Sequence, residues 1–422
     1  MAGNNPVAGG GMRRPSQTNF LYFIIVFSQI FLLRPVQGQD LSASVSDRIT
    51  PGGERAAMRR LADTGISLEE TLISFSSEAG EELTGRAFDP VSVDREIRRL
   101  ETGARAAVGE RKDPRAIVAA LNRYLFEEQG FAYDCAAGVP ENFLLDHVLS
   151  RKRGNCLGLS SLYLILAERL DLPLRGVYLP SHCFVRYDDG TVRFNIETRE
   201  KGEDYPDGRY WREFGLSEGR PYLASLTKKE MAGVYLKSVG AAFSRNGMDE
   251  RALRLSLDAS AYYPGYPDAW FNAGVSCLKT GRLEEAVSMF RRALRLDPRM
   301  AAAQDNLGVA LARQGRFREA LEEARKAVEL SPRSTISRGN LAATLCACGE
   351  VDEGMREYRR VLEIDPGNAR ALSALAKAHF ARGEYQEAIF HSDRATALGC
   401  AFDPAMLDAL EKQRTVSATD LP

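Results

Sequence analysis

Several features that mark whole classes of protein are scarce in this chain of 422 residues. Its seven cysteines form no CxxC pair and no disulfide framework of the kind found in small secreted domains. Its four histidines are too few and too scattered along the sequence to predict a histidine-built metal centre. The formal net charge is −1, so the chain has no excess of basic residues that would favour binding to nucleic acid. It also has no excess of acidic residues of the kind found in solvating tails. We therefore expect no metal site and no nucleic-acid partner.

The remaining composition is that of an ordinary globular protein, with 44% hydrophobic, 27% charged and 9% aromatic residues. These proportions exclude a wholly disordered chain, a fibrous repeat and a protein with many membrane spans. At roughly 150 residues per domain, the length predicts two or three folded units, each with its own hydrophobic core.

One apolar run, FLYFIIVFSQIFLL at residues 20–33, lies near the N-terminus with arginine on both sides. A helix of this length rises about 21 Å, which is short of a hydrocarbon core of about 30 Å. The run is typical of a signal peptide, with cleavage before Gln39. We expect export of the mature chain to the periplasm or another extracytoplasmic site. If the signal is not cleaved, this segment would instead anchor the chain to a membrane.

The C-terminal part has a regular internal period of 34 residues. Proline, glycine and alanine each recur with this period. The prolines are Pro264, Pro298, Pro332 and Pro366, and the glycines are Gly247, Gly281, Gly315, Gly349 and Gly383. The alanines are Ala252, Ala286, Ala320 and Ala388, and Gly354 occupies the remaining alanine position. The pattern predicts a helix, a turn at the glycine, and a second helix that ends at the proline. It resembles the tetratricopeptide repeat, with five units that start at positions 233, 267, 301, 335 and 369.

This resemblance implies a concave groove lined by the first helix of each unit. Asn272, Asn306 and Asn340 share the sixth position of their units. In peptide-binding relatives, an asparagine at this position can hold the backbone of an extended ligand, so the resemblance implies a protein or peptide partner. The alternative is an asparagine that only caps or solvates its own helix.

The middle of the chain changes from helical to strand-like patterns. Residues 55–130 have apolar residues at helical spacing, and a second apolar helix begins at Cys156, directly after Gly154-Asn155. At a helix N-terminus the unpaired N–H groups and the helix dipole favour a thiolate. A hairpin follows, with one strand at residues 182–187 and the returning strand at 191–198.

Three side chains in this region form a candidate catalytic set. His182 opens one hairpin strand, and Glu197 lies near the end of the returning strand, which brings it back beside His182. Nucleophilic acyl chemistry needs such a set, because the histidine withdraws the proton of the Cys156 thiol and the carboxylate orients the imidazolium. Asn195, two residues earlier on the same strand face, is an alternative third member.

The order and spacing of these residues resemble the transglutaminase-like superfamily of papain-type thiol folds. The stretch RKRGNCLGLSSLYLILAERLDLPLRGVYLPSHCFVRY is similar to its bacterial SirB-type branch, in which tetratricopeptide repeats often follow the core. The resemblance implies an α+β papain/transglutaminase-like core followed by an all-α tetratricopeptide-repeat superhelix. The third member in the family is usually Asp followed by Pro, whereas this chain has Glu197-Thr198.

These observations predict an organisation in five segments. They are a signal peptide at 1–38, a helical segment at 39–89, a transglutaminase-like core at 90–228, five repeats at 229–402 and a tail at 403–422. The functional hypothesis is an exported thiol enzyme that uses no cofactor. It would hydrolyse or transfer an acyl group at a protein or peptide amide through a Cys156 thioester. The competing hypothesis is a non-catalytic scaffold that binds protein partners through its repeats.

Overall fold

A computed structural model describes residues 67–136, 139–216 and 221–419. The predicted signal peptide and the first predicted helices fall in residues 1–66, outside the described residues, so export stays a prediction. Within the described ranges, no helix is both long enough and apolar enough to cross a membrane.

The N-terminal part of the core is helical, as the apolar spacing predicts. Its three helices are α1 (Leu68–Thr84), α2 (Pro90–Val108) and α3 (Pro114–Asn122), and α3 continues into a π-helical turn, Arg123–Glu128. Each helix starts where a short polar side chain, from Ser67, Asp89 or Asp113, accepts hydrogen bonds from first-turn N–H groups. These caps fix the helix starts, and the apolar faces pack into one core cluster.

The next elements build a small sheet around one apolar helix. They are β1 (Ala132–Tyr133), a 3₁₀ turn (Pro140–Asn142), α4 (Leu145–Arg151), β2 (Arg153–Gly154), α5 (Cys156–Arg169), β3 (Leu174–Leu179), β4 (His182–Asp188), β5 (Arg193–Ile196), a 3₁₀ turn (Thr198–Glu200), α6 (Asp207–Glu213) and β6 (Ser225–Leu226). Strands β1 and β2 pair in parallel, and the other four form an antiparallel sheet in the order β5-β4-β3-β6. Helix α5 is buried from Leu157 to Ala167 because it packs against this sheet and against the N-terminal helices.

The C-terminal part consists of helix pairs. They are α7 (Lys228–Arg245) with α8 (Asp249–Tyr262), α9 (Pro267–Lys279) with α10 (Leu283–Leu296), α11 (Ala301–Arg313) with α12 (Phe317–Leu330), α13 (Thr335–Ala347) with α14 (Val351–Ile364), and α15 (Ala369–Ala381) with α16 (Tyr385–Ala397). The periodic glycines lie in the turns within the pairs, with φ between 75° and 87°. This left-handed conformation explains why glycine recurs there. The second to fifth pairs begin at the predicted unit starts.

The described chain divides into two compact units, residues 67–299 and residues 300–419. In the first unit, the sheet packs on the first repeats, because Tyr178 of β3 meets Tyr266 edge to face with ring centroids 4.8 Å apart. In the second unit, a last helix, α17 (Pro404–Thr419), lies within the segment assigned to a tail. Its Met406 and Leu410 join the same apolar cluster as Leu372 of α15.

Gly354 departs from the alanine pattern for a steric reason. A Cβ at this position would lie 2.5 Å from Cys346 Sγ and 2.8 Å from the Ala342 carbonyl oxygen. The Cys346 sulfur of the facing helix therefore leaves no room for a side chain at position 354.

We expect Gly354→Ala to lower the free energy of unfolding by about 1–3 kcal/mol, because the added methyl overpacks the contact between α13 and α14. Gly339→Ala on α13 is the matched control, since a Cβ there meets nothing within 4 Å. That substitution should leave stability unchanged or raise it by up to about 1 kcal/mol through helix propensity. Chemical denaturation of the full chain measures both, and equal effects of the two changes would refute the steric explanation.

Candidate active site

The start of α5 is held in place by tight backbone packing. The Asn155 side chain accepts a hydrogen bond from the Gly158 N–H at 3.0 Å, and the Asn155 N–H donates to the Asn142 carbonyl at 2.7 Å. Only glycine fits at position 158, because a Cβ there would lie 2.4 Å from the Asn142 oxygen. The sequence Gly-Asn-Cys-Leu-Gly therefore fixes the first turn of α5 and places Cys156 at its N-terminus, partly exposed.

His182 is the first residue of β4, and its ring is buried, with a residue exposure of 4%. The imidazole stacks on Phe214, with ring centroids 5.2 Å apart and an interplanar angle of 5°. Its Nε2 lies 2.8 Å from Glu197 Oε2. An Nε2–H group that donates to this carboxylate fixes the tautomer and leaves Nδ1 to exchange a proton with a neighbouring thiol.

Glu197 is fully buried at the end of the returning strand, where it caps the 3₁₀ turn Thr198–Glu200. Its carboxylate accepts hydrogen bonds from the Tyr210 hydroxyl at 2.9 Å and from the Arg199 backbone N–H at 3.0 Å, in addition to His182. Burial alone would raise the pKa of Glu197, but the contacts with His182 and Arg199 lower it below the usual value. The carboxylate is therefore ionised at neutral pH.

The thiol of Cys156 lies close enough to His182 and Cys183 for both to shift its pKa. A hydrogen bond from the Cys183 thiol lowers the pKa of Cys156 well below its usual value against the effect of burial, and His182 lowers it further. Burial opposes protonation of His182, yet its hydrogen bonds to Cys156 and Glu197 raise its pKa to about 8. These shifts favour a thiolate beside an imidazolium.

The alternative third residue, Asn195, lies in a different network. Its Oδ1 accepts from Arg186 Nε at 2.7 Å, and its Nδ2 donates to the Tyr205 carbonyl at 2.6 Å and to Asp207 at 2.7 Å. Strand register explains this placement, because Asn195 is opposite Arg186 in the pairing of β4 with β5. The geometry therefore brings together Cys156, His182 and Glu197 and leaves Asn195 outside this set.

The three asparagines at the sixth position of their repeats differ in their surroundings. Asn272 and Asn306 are half-buried, and Asn306 donates to the Ala302 carbonyl of its own helix at 2.9 Å. Asn340 is buried, contacts Asp305 and accepts from Arg370 at 3.4 Å. The predicted role of these asparagines in partner binding stays a prediction.

Comparison with known proteins agrees with this architecture. Residues 92–207 match the family model of the transglutaminase-like superfamily, and residues 250–298, 279–335 and 349–397 match models of the tetratricopeptide repeat. The chain has a transglutaminase-like core followed by tetratricopeptide repeats. The sequence-based recognition and fold class are thereby confirmed.

Two relatives illustrate the similarity in sequence. A UPF0162 protein of Xylella fastidiosa (strain Temecula1) is 28% identical over 204 residues, which cover 43% of this chain and 68% of that protein. A UPF0162 protein of Vibrio cholerae is 34% identical over 87 residues, which cover 20% of this chain and 32% of that protein.

Solved structures with some similarity are also known. MamA of Desulfovibrio magneticus RS-1 aligns with 18% identity and a TM-score of 0.37, covering 40% of this chain and 94% of that chain. The pilF protein of Pseudomonas aeruginosa aligns with 20% identity and a TM-score of 0.41, covering 46% of this chain and 90% of that chain.

Sequence reasoning missed four side chains of the transglutaminase-like core that complete the site. Tyr210 and Phe214 reach it from α6 and its C-cap, the Arg199 guanidinium forms an ion pair with the Glu197 carboxylate at 3.2 Å, and Cys183 lies beside the thiol. The alternation of β4 places Cys183 in the core, where it is buried, but gives no sign that the Cys156 sulfur lies next to it. The aromatic residues of RYWREF are the sequence signal that could have pointed to α6 as a neighbour of the site.

We expect Cys183→Ala to raise the pKa of Cys156, because the substitution removes the hydrogen bond from the Cys183 thiol to the Cys156 sulfur. Cys183→Ser keeps a donor at the same place and should preserve most of the shift. The pH dependence of Cys156 alkylation by iodoacetamide, followed by mass spectrometry of its peptide, measures the pKa in each variant. Identical profiles in the alanine variant and the unsubstituted chain would contradict this role of Cys183.

Proposed function

We propose that the core is a thiol enzyme that transfers the acyl group of a protein or peptide amide to water or to an amine. The observation that supports this most directly is the chain of residues Cys156, His182 and Glu197, in which His182 Nε2 lies 2.8 Å from Glu197 Oε2 and the thiol and the imidazole each shift the pKa of the other. In this chain the nucleophile, the base and the orienting carboxylate each have their partner. The tetratricopeptide repeats support a protein partner, and binding of that partner in the repeat groove belongs to the same proposal.

In the first step the Cys156 thiolate attacks the carbonyl carbon and forms a C–S bond, while the carbonyl π electrons move to the oxygen. The N–H groups of Cys156 and Leu157 lie in the first turn of α5, where a helix has no internal acceptor for them. These two amides would donate to the developing oxyanion. The helix dipole of α5 acts in the same direction.

In the second step the tetrahedral intermediate collapses, and the C–N bond breaks. The His182 imidazolium gives its proton to the leaving amine, and a Cys156 thioester remains. His182 then takes a proton from water or from an acceptor amine, which attacks the thioester and regenerates the thiolate. Glu197 stays ionised throughout and holds the imidazole in one tautomer.

Tyr133 of β1 lies near the Cys156 thiol. It is 37% exposed, and burial together with the neighbouring Cys156 thiol raises its pKa. An exposed tyrosine beside the nucleophile provides an apolar surface with a hydroxyl at its edge, which suits an extended peptide backbone. We propose that Tyr133 contacts the substrate next to the reacting carbonyl.

The proposed thioester predicts that p-nitrophenyl acetate acetylates Cys156 in preference to the other cysteines. The expected result is a burst of p-nitrophenol and an acetyl group on the Cys156 peptide that hydroxylamine removes. Cys156→Ala should lose both signals while keeping its fold, whereas Cys277→Ala should keep both, because Cys277 is buried in a repeat and burial raises its pKa to about 12. Acetylation that is absent, or unchanged in the Cys156→Ala chain, would favour the scaffold hypothesis.

Glu197→Gln should lower the pKa of His182 from about 8, because the substitution removes the buried negative charge that stabilises the imidazolium. The acylation rate should fall on the order of 10²–10⁴-fold, the range of general acid–base catalysis. Glu200→Gln, an exposed change in the same 3₁₀ turn, is the matched control and should leave both quantities unchanged. The histidine pKa is measured by NMR titration. An unchanged His182 pKa in Glu197→Gln would exclude Glu197 as its partner.

A further inference from the structure

Two of the four histidines meet in the last repeat. His379 lies on α15 and His391 on α16, and their exposed fractions are 4% and 8%. The two rings stack with centroids 5.5 Å apart and an interplanar angle of 15°. No sequence pattern pairs these two histidines, since they lie on different helices with a turn between them. Helix pairing within the repeat brings them together.

Among the residues that the structure describes, one buried nitrogen of each ring finds no hydrogen-bond partner. His379 Nδ1 is bonded to the Glu384 carboxylate, but His379 Nε2 has no partner within the described residues. His391 Nδ1 likewise has none. Buried polar atoms in native proteins are nearly always paired, so two unpartnered nitrogens on neighbouring rings indicate that something else binds there.

A carboxylate completes the group. Glu387 is exposed and lies one helical turn before His391 on α16. One ligand atom from each of His379, Glu387 and His391 lies within 4.8 Å of the other two. Metal–ligand bonds of about 2.0–2.2 Å bring tetrahedral ligand atoms to within about 3.5 Å of one another. A rotation of the exposed Glu387 side chain would bring its carboxylate oxygen closer to the two nitrogens, from the present separation of up to 4.8 Å toward about 3.5 Å.

We propose that His379, Glu387 and His391 bind a divalent transition metal ion, with zinc as the best fit. Two imidazole nitrogens and one carboxylate are a ligand set that suits Zn²⁺ and that leaves a fourth position for water. Glu384 would act as the outer partner, because a metal-binding histidine usually donates its other N–H to a carboxylate. This assignment differs from the expectation of no metal site drawn from the sequence.

The ion would link α15 to α16 and thereby stabilise the last helix pair of the array, which has a repeat neighbour on one side alone.

The test is a titration of the full Cys156→Ala chain with Zn²⁺ in competition with a chromophoric chelator. The alanine removes the reactive thiol as an alternative ligand. We expect one equivalent to bind with a dissociation constant of about 1 μM or below. Co²⁺ should give d–d absorption without a thiolate charge-transfer band, which identifies nitrogen and oxygen ligands. Zn²⁺ should also raise the thermal unfolding temperature.

Variants distinguish this site from weak surface binding. Glu387→Gln changes an exposed side chain that the fold does not need, and Glu384→Gln removes the outer partner; each should weaken Zn²⁺ binding about 10–100-fold. Glu363→Gln, an exposed glutamate of α14, is the matched control and should bind as the parent chain does. Equal affinity in Glu387→Gln and Glu363→Gln would overturn the proposal. Failure of the parent chain to bind about one equivalent would also overturn it.

Discussion

The core is organised around one buried charge, the Glu197 carboxylate. A carboxylate without any solvent exposure is costly unless it is paired and hydrogen-bonded. Three elements supply its partners, since His182 comes from β4, Arg199 from the 3₁₀ turn and Tyr210 from α6. The contacts that make this burial tolerable therefore also fix the position of the imidazole. Stability and orientation of the site come from the same hydrogen bonds.

The thiol is placed by a second constraint, the close approach of α5 to the loop before α4. Gly158 lets the first turn of α5 lie against the Asn142 carbonyl, and the capping Asn155 fixes the direction of the helix. Cys156 consequently lies at the N-terminus of α5, where the first N–H groups of a helix have no acceptor within the helix.

Much of this architecture follows from sequence pattern, because the repeats carry a fixed period and the thiol, histidine and carboxylate occur at recognisable structural boundaries. The choice between Glu197 and Asn195 required the strand register, which decides that Asn195 meets Arg186 instead of His182. Tyr210 could not be assigned to the carboxylate because it approaches from another helix. His379 meets His391 because two helices pack against each other. The positions of the two histidines along the chain do not reveal this contact.

The proposed chemistry depends on a Cys156 thiolate that His182 and Cys183 stabilise. The ultraviolet absorbance of the thiolate as a function of pH, taken as the difference between the unsubstituted chain and Cys156→Ser, measures this property. We expect one thiol that is half-ionised well below the free-thiol value of about 8.5. A difference curve with its midpoint at or above that value would contradict it.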